Sequence, residues 1–195
     1  MKKVLFLSVV LILLLAAVGR GTFAYFSDIE DSFGNSLTAA ELVSVTLLDD
    51  GFEGDPWDAN WDDNGTTNWT QNNGQQHGGS YAALCDRDNN GYLTSDDLDG
   101  SVVDSITVSF WFNGKSLEAG DILVQLYNSS TYDTWYDLTN YPTYKNNAWC
   151  EFSEEITDPQ YLISSFRLRF DGSGLVDKNE VCNIDDVLIT VKQWP

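Results

Sequence analysis

The chain has 195 residues, with ten Lys and Arg against thirty Asp and Glu and a net charge of −20. A surface this negative repels phosphate backbones and anionic headgroups, which excludes nucleic acid as a partner. Three cysteines, Cys85, Cys150 and Cys182, are too few for a disulfide-built miniature scaffold; they allow at most one intramolecular bridge, and three pairings stay open.

At the amino terminus, Lys2 and Lys3 precede an apolar run from Val4 to Val18, which is short for a bilayer-spanning helix. Gly19-Arg20-Gly21 ends the run, and Thr22-Phe23-Ala24 places small residues where a signal peptidase reads them. Residues 1–24 are therefore predicted to be a secretory signal peptide cleaved between Ala24 and Tyr25, leaving a secreted chain with no stable membrane anchor. Loss of Lys2, Lys3 and Arg20 would take the net charge from −20 to −23. The remainder has the length of one domain with a well-buried core.

That domain reads as strands. Ser105-Ile106-Thr107-Val108-Ser109-Phe110-Trp111-Phe112 alternates polar and apolar side chains, as a half-buried strand must. Shorter runs are predicted at Tyr81–Cys85, Tyr92–Ser95, Ile122–Tyr127, Thr134–Leu138, Ala148–Ile156, Phe166–Phe170 and Val181–Lys192. Turns are expected at Asn113-Gly114, Ala119-Gly120, Asn146-Asn147 and Asp171-Gly172, residues that tolerate tight-turn dihedrals. The polar stretch Asp55–Gly79 reads as the one linker-like segment. Many short strands at this spacing predict an all-β fold, a two-sheet antiparallel jelly-roll sandwich over residues 43–195, preceded by an amino-terminal segment at residues 25–42.

Catalytic signals are weak, and the chain is expected not to be an enzyme. A glycosidase needs paired carboxylates projecting into one cleft, and the nearest approach is Glu151 with Glu155 on one face of a strand, a placement that ordinarily faces solvent. His77 is the single histidine and sits in the loop-like Gln75-Gln76-His77-Gly78-Gly79, away from any nucleophile signal. Aromatic residues offer more. Seven tryptophans and nine tyrosines exceed the ordinary needs of one small core. Trp57, Trp61, Trp69, Trp135, Tyr136, Tyr141 and Tyr144 lie in polar surroundings, where flat rings with a polar handle suit exposed surfaces. Trp57, Trp135 and Tyr136 are the candidate ligand-binding residues, with stacked sugars as the ligand; the alternative is that Trp57 and Trp69 plug the ends of the sandwich while Trp111 and Trp149 pack against neighbours. Asn64, Asn68 and Asn128 head Asn-x-Ser/Thr sequons and are candidate glycosylation sites.

Two resemblances are carried by particular residues. Gly21-Thr22-Phe23-Ala24-Tyr25-Phe26-Ser27-Asp28, followed by Asn35-Ser36-Leu37-Thr38-Ala39, resembles the onset of the TasA/camelysin family of exported surface and biofilm-fibre proteins. The match covers about residues 19–45 and departs at Ala40-Glu41-Leu42, where the family has Gly and then Leu-Asp-Leu. It implies export, cleavage at this point, and self-assembly in which the amino-terminal segment adds as a strand to a neighbour's exposed sheet edge. Asp50-Gly51-Phe52-Glu53-Gly54, Trp57, Trp61, Gly79-Ser80-Tyr81-Ala82-Ala83, Phe110-Trp111 and Asn183-Ile184-Asp185-Asp186-Val187 are arranged similarly to MAM domains and related concanavalin-like jelly rolls. Those domains adhere to proteins or glycans, and several carry structural calcium. The likeness implies a Ca2+ site in which Glu53, with Asp50, meets Asp186. A competing site is read from the loop itself: Asp86, Asp88, Asn90 and Asp97 occupy EF-hand-like positions around Gly91, without flanking helices and with Asp97 in place of the longer Glu. The expected function is a secreted, non-catalytic structural or adhesion protein of a cell surface or extracellular matrix, whose partners are glycans or other surface proteins; the alternative is a dedicated glycan-binding module.

Overall fold

The structure is a computed structural model that describes residues 41–63 and 68–195. The signal segment, the Ala24–Tyr25 cleavage point, residues 25–40 of the amino-terminal segment and the Asn64 sequon lie outside the described residues.

Among the described residues, eleven strands form two antiparallel sheets. In chain order they are β1 (Val43–Asp50), β2 (Trp61–Asp62), β3 (Thr70–Asn72), β4 (Ala82–Asp86), β5 (Tyr92–Ser95), β6 (Ser105–Lys115), β7 (Leu123–Tyr127), β8 (Tyr132–Asp137), β9 (Trp149–Ile156), β10 (Leu168–Asp171) and β11 (Val181–Gln193). The six-stranded sheet runs β3-β4-β11-β6-β9, with β1 also pairing β11; the five-stranded sheet runs β2-β5-β10-β7-β8. Alternation decides which side chains meet between the sheets. From β6 and β11 come Ile106, Val108, Phe110, Phe112, Ile184, Ile189 and Val191, and from the opposing sheet Leu93, Val124, Leu126, Leu168 and Phe170, all buried. Phe152 of β9 stacks on Phe110 at 4.5 Å, and Phe170 meets the edge of Phe110 at 5.0 Å.

The expected two-sheet sandwich is present, with three local corrections. Asn113-Gly114 is not a turn. Both residues stay inside β6, held by pairing to Asn183 and Cys182 of β11, and the chain reverses later, beyond Ser116 at φ 58°. A Cβ at Gly114 would lie 2.4 Å from Leu117 Cδ1, so any larger residue there would push the Leu117 side chain aside. The stretch Asp55–Gly79 is not a linker either, since it supplies β2 to one sheet and β3 to the other. Finally, Phe166 joins the sheet region only through a bridge to Leu98, so β10 begins at Leu168. Val43–Leu48 is used by its own sheet, paired to β11.

The three cysteines are free and buried. Cys85 and Cys182 face one another across β4 and β11, and burial pushes both thiols far above the ordinary thiol range.

Candidate functional site

The phase of β6 that faces away from the core carries Ser105, Thr107, Ser109, Trp111 and Asn113. Registration extends this phase across the sheet: Asn113 pairs with Trp149 of β9 and with Asn183 of β11, while Trp111 pairs with Glu151 and Asp185. An aromatic and amide row therefore crosses the outer face of the six-stranded sheet. It follows from strand alternation together with the register of β6 against β9 and β11.

The segment after β3 folds back over this row. Asn72 donates to Asn183 Oδ1 at 3.0 Å, and Asn113 donates to Gln75 Oε1 at 3.1 Å. Farther along, the backbone N–H groups of His77 and Gly78 donate to Asp185 Oδ2 at 2.8 and 3.0 Å. Burial raises the pKa of Asp185, and the Asp186 charge adds to this, while the amides of His77, Gly78 and Asp186 pull it back. The His77 ring lies flat on Trp111, with centroids 3.9 Å apart and planes 10° apart. It meets Trp149 edge-on at 5.5 Å, and Nδ1 lies 2.8 Å from Asp186 Oδ2. Beside this group is a cavity of about 330 Å3 lined by Gly74, Gln75, Gln76, Asn113, Asn147, Ala148 and Trp149. Chemically it offers one half-exposed indole and several neutral amides. That combination suits a flat ligand rich in hydroxyl groups.

The residues expected to bind a ligand do not converge. Trp135 and Tyr136 of β8 pack on buried Phe152 at 5.5 and 5.2 Å. The cause is a register shift opposite Val124 and Gln125, which brings consecutive side chains toward the core. Trp61 and Trp69 are buried, as is Tyr141, and the indole N–H groups of Trp61 and Trp69 donate to Asp50 Oδ2 and the Gly91 carbonyl. Trp61, Trp69 and Tyr141 belong to the core, while Trp135 and Tyr136 are partly buried against it. Trp57 is half-buried and packs on Phe52 at 6.2 Å beside a separate cavity of about 600 Å3 lined also by Glu53, Asp55, Asp58, Gln71 and Tyr81. Glu151 and Glu155 face solvent, the latter accepting from Lys192 Nζ and Ser105 Oγ.

The two candidate calcium sites differ in how their oxygens are placed. In the EF-hand-like loop, Asp86 Oδ1 accepts from the N–H groups of Asp88 and Asn89, Asp88 pairs with Arg87, Asn90 donates to the Leu175 carbonyl, and Asp97 pairs with Arg167. Four residues are thus directed to separate partners. Glu53 and Asp186, by contrast, approach the same pair of turns: a Cβ at Gly79 would lie 2.3 Å from Glu53 Oε1, and one at Gly78 would lie 2.9 Å from both Asp186 carboxylate oxygens. Glu53 Oε1 accepts from Ser80 and Tyr81 and Asp186 Oδ2 meets His77, so each carboxylate keeps a second oxygen. Asp50 is spent on Phe52, Asn60 and Trp61. No group of three His, Cys, Asp or Glu side chains is placed for a metal among the described residues. Glu53 and Asp186 fit calcium only if carbonyls and water complete its shell; Asp50 does not fit.

Of the sequons, Asn68 donates to the Asp63 carbonyl, and Asn128 donates to Asp133 while capping Ser130 and Thr131. Both amides hold their own turns.

No family model matches the chain, and no curated protein matches it in sequence. Solved structures do share its fold. The CBM22-1 xylan-binding domain of Xyn10C from Paenibacillus barcinonensis is 17% identical, with 80% of this chain and 100% of that domain covered at a TM-score of 0.51. The K3 adhesin domain of Lys-gingipain from Porphyromonas gingivalis is 21% identical, covering 76% of this chain and 99% of that one at 0.50. The CBM22-1-GH10 modules of Clostridium thermocellum Xyn10B, complexed with xylohexaose, are 16% identical over 78% of this chain and 29% of that one, also at 0.50. The chain is therefore a β-sandwich of the kind that carbohydrate-binding and adhesin domains share.

Sequence reasoning missed Gln75, Gln76, Asn147 and Trp149, which line the cavity, and Asn113, which holds Gln75; Trp111 lies beside them under the His77 ring and outside the cavity lining. One signal was present: Trp111 and Asn113 occupy the polar phase of β6, and an indole in that phase points outward.

Proposed function

We propose that the chain is a secreted, non-catalytic glycan-binding module that takes an uncharged polysaccharide on the outer face of its six-stranded sheet. The observation that carries this reading is the Trp149–Asn113–Asn183 row with its adjoining cavity. In this arrangement Trp149 stacks against a sugar ring, while Gln75, Gln76 and Asn147, the exposed amides of the cavity lining, exchange hydrogen bonds with hydroxyl groups, and the buried Asn113 holds Gln75 in place. Glu151, Asp185 and Asp186 border the row, and with the strongly negative chain they disfavour anionic glycans. The likeness to xylan-binding and adhesin domains supports the reading at the level of fold, and binding of this kind would serve attachment at a cell surface or matrix. Glu53 and Asp186 would hold a structural calcium ion joining the start of the sandwich to its last strand.

The test is retention on insoluble neutral polysaccharides, with binding isotherms on soluble ones. Trp149→Ala and Gln75→Ala should each weaken binding by roughly tenfold, about 1.4 kcal/mol, with the melting temperature nearly unchanged. A wild-type chain that binds none of them, or variants that bind as well as wild type, would remove this site from the reading.

A second reading, self-assembly through residues 25–42, draws on a separate observation. Strand β1 pairs only with β11 among the described residues, and Leu42, Val43 and Val45 are exposed, so an added strand would find an open edge there. Electron microscopy of the purified chain decides it, filaments being the expected result.

A further inference from the structure

We infer that His77 is a specificity-determining residue that occupies, with its own ring, a stacking position on Trp111 that a sugar would otherwise take. The inference rests on the glycan reading above and sets the length of glycan the face accepts. Trp111 stands on the same outward phase of β6 as Asn113, and the two pair with Glu151 and Trp149 of β9. Its indole therefore continues the row by one position. What lies on that indole is a flat ring at 3.9 Å and 10°, the geometry in which a sugar face stacks on an aromatic.

The imidazole is held there from two sides. Nδ1 meets Asp186 Oδ2, and the backbone N–H groups of His77 and Gly78 are anchored on Asp185 Oδ2. Gly78 lets the segment settle this close, since a Cβ would lie 2.9 Å from the Asp186 oxygens. The backbone anchors do not involve the imidazole, so removing the ring leaves them intact. His77 keeps a side-chain exposure of 30%, which means that the covered indole face would open to solvent and not to a closed void. With His77 in place, the groove ends at Trp149 and accepts a short stretch of glycan. Without it, Trp111 supplies a second stacking position and the groove accepts a longer one.

The experiment measures binding of neutral β-1,4-linked xylo- and gluco-oligosaccharides, from disaccharide to hexasaccharide, by wild type, His77→Ala, Trp111→Ala and His77→Ala/Trp111→Ala. Wild-type affinity should level off at short lengths, whereas His77→Ala should go on gaining, by roughly tenfold at the longest ligands. The double variant should return to the wild-type length profile, and Trp111→Ala alone should leave that profile unchanged. A His77→Ala protein that binds no better than wild type at any length overturns the inference while leaving the glycan reading intact. So does a loss of affinity in Trp111→Ala with no change in melting temperature, because that places sugar on Trp111 already. Absence of binding by every form overturns both.

Discussion

The outer faces of the two sheets both set aromatic rings beside polar side chains and put them to different use. On the five-stranded sheet, polar groups are spent on one another. Arg169 lies over the Tyr132 ring at 3.3 Å and the Tyr92 ring at 4.6 Å and donates to Thr94 Oγ1. Arg167 pairs with Asp97 and lies over Tyr127, and the Asp97 carboxylate drives its pKa above the usual arginine range. Gln125 donates to Asp171, whose other oxygen accepts from Ser173. On the six-stranded sheet carboxylates border the face, and the groups around Trp149 are neutral amides that are only partly used. Asn113 and Asn183 are buried and bonded to Gln75 and Asn72, while Gln75, Gln76 and Asn147 stand exposed around an open cavity. Aromatic count alone therefore does not mark a binding face. What marks it is the combination of an accessible ring with polar atoms that still have hydrogen bonds to give.

The largest effect that separates core rings from face rings should come from Phe152. It stacks on Phe110 and contacts Trp135, Tyr136 and Tyr141, so Phe152→Ala should cost about 3–5 kcal/mol in a denaturant melt. Trp135→Ala should lower stability in the same direction without changing glycan retention, whereas Trp149→Ala should do the reverse. If Trp135→Ala weakens binding and leaves the melt unchanged, the division between core and face fails.

The long strands were legible in the sequence and the division between core rings and face rings was not, since Trp61, Trp69 and Tyr141 lie in polar sequence and are buried; the boundary between the two is physical. Strands β6, β9 and β11 run eight residues or longer, so alternation identifies them within a few residues at each end. Strands β2 and β3 have two and three residues, too few for any period to emerge, and they form because β5 and β4 offer edges to pair with. The loop carrying Gln75 and His77 reaches Asn113 and Asp185 from far away in sequence, a closure no local pattern records. Glu53 and Asp186 were brought together by the jelly-roll resemblance, which supplied a pairing of first and last strands that spacing alone does not.

An intermediate effect is expected from calcium. Millimolar calcium should raise the melting temperature of the wild-type chain, and a chelator should reverse it. An ion present at a hundred times its dissociation constant adds about 2.7 kcal/mol when it binds only the folded state. Glu53→Gln and Asp186→Asn should abolish the rise, while Asp88→Asn should keep it, because Asp88 is held by Arg87 in a loop whose oxygens do not converge. A melt that does not respond to calcium would leave Glu53 and Asp186 as acceptors for Ser80, Tyr81 and His77 alone.

The smallest effect tests the locked face itself. Arg169 is half-exposed and fixed by two rings and one hydroxyl, so Arg169→Met keeps an unbranched apolar stem and deletes the charge. A cation over an aromatic face contributes about 0.5–1 kcal/mol when exposed and about 2 kcal/mol when desolvated. Arg169 stands between these limits, so the expected loss is about 1 kcal/mol, a little larger if the Thr94 bond is counted. Glycan binding should stay at the wild-type level, since the side chain is on the opposite sheet from Trp149. Salt gives a second readout. Ion pairs between exposed charges weaken as ionic strength rises, whereas contacts with ring faces depend mainly on proximity, so the difference between Arg169→Met and wild type should persist at high salt. A variant as stable as wild type would mean that the arginine is held by the rings without holding them, and a fall in glycan binding would mean that the five-stranded face takes part in recognition.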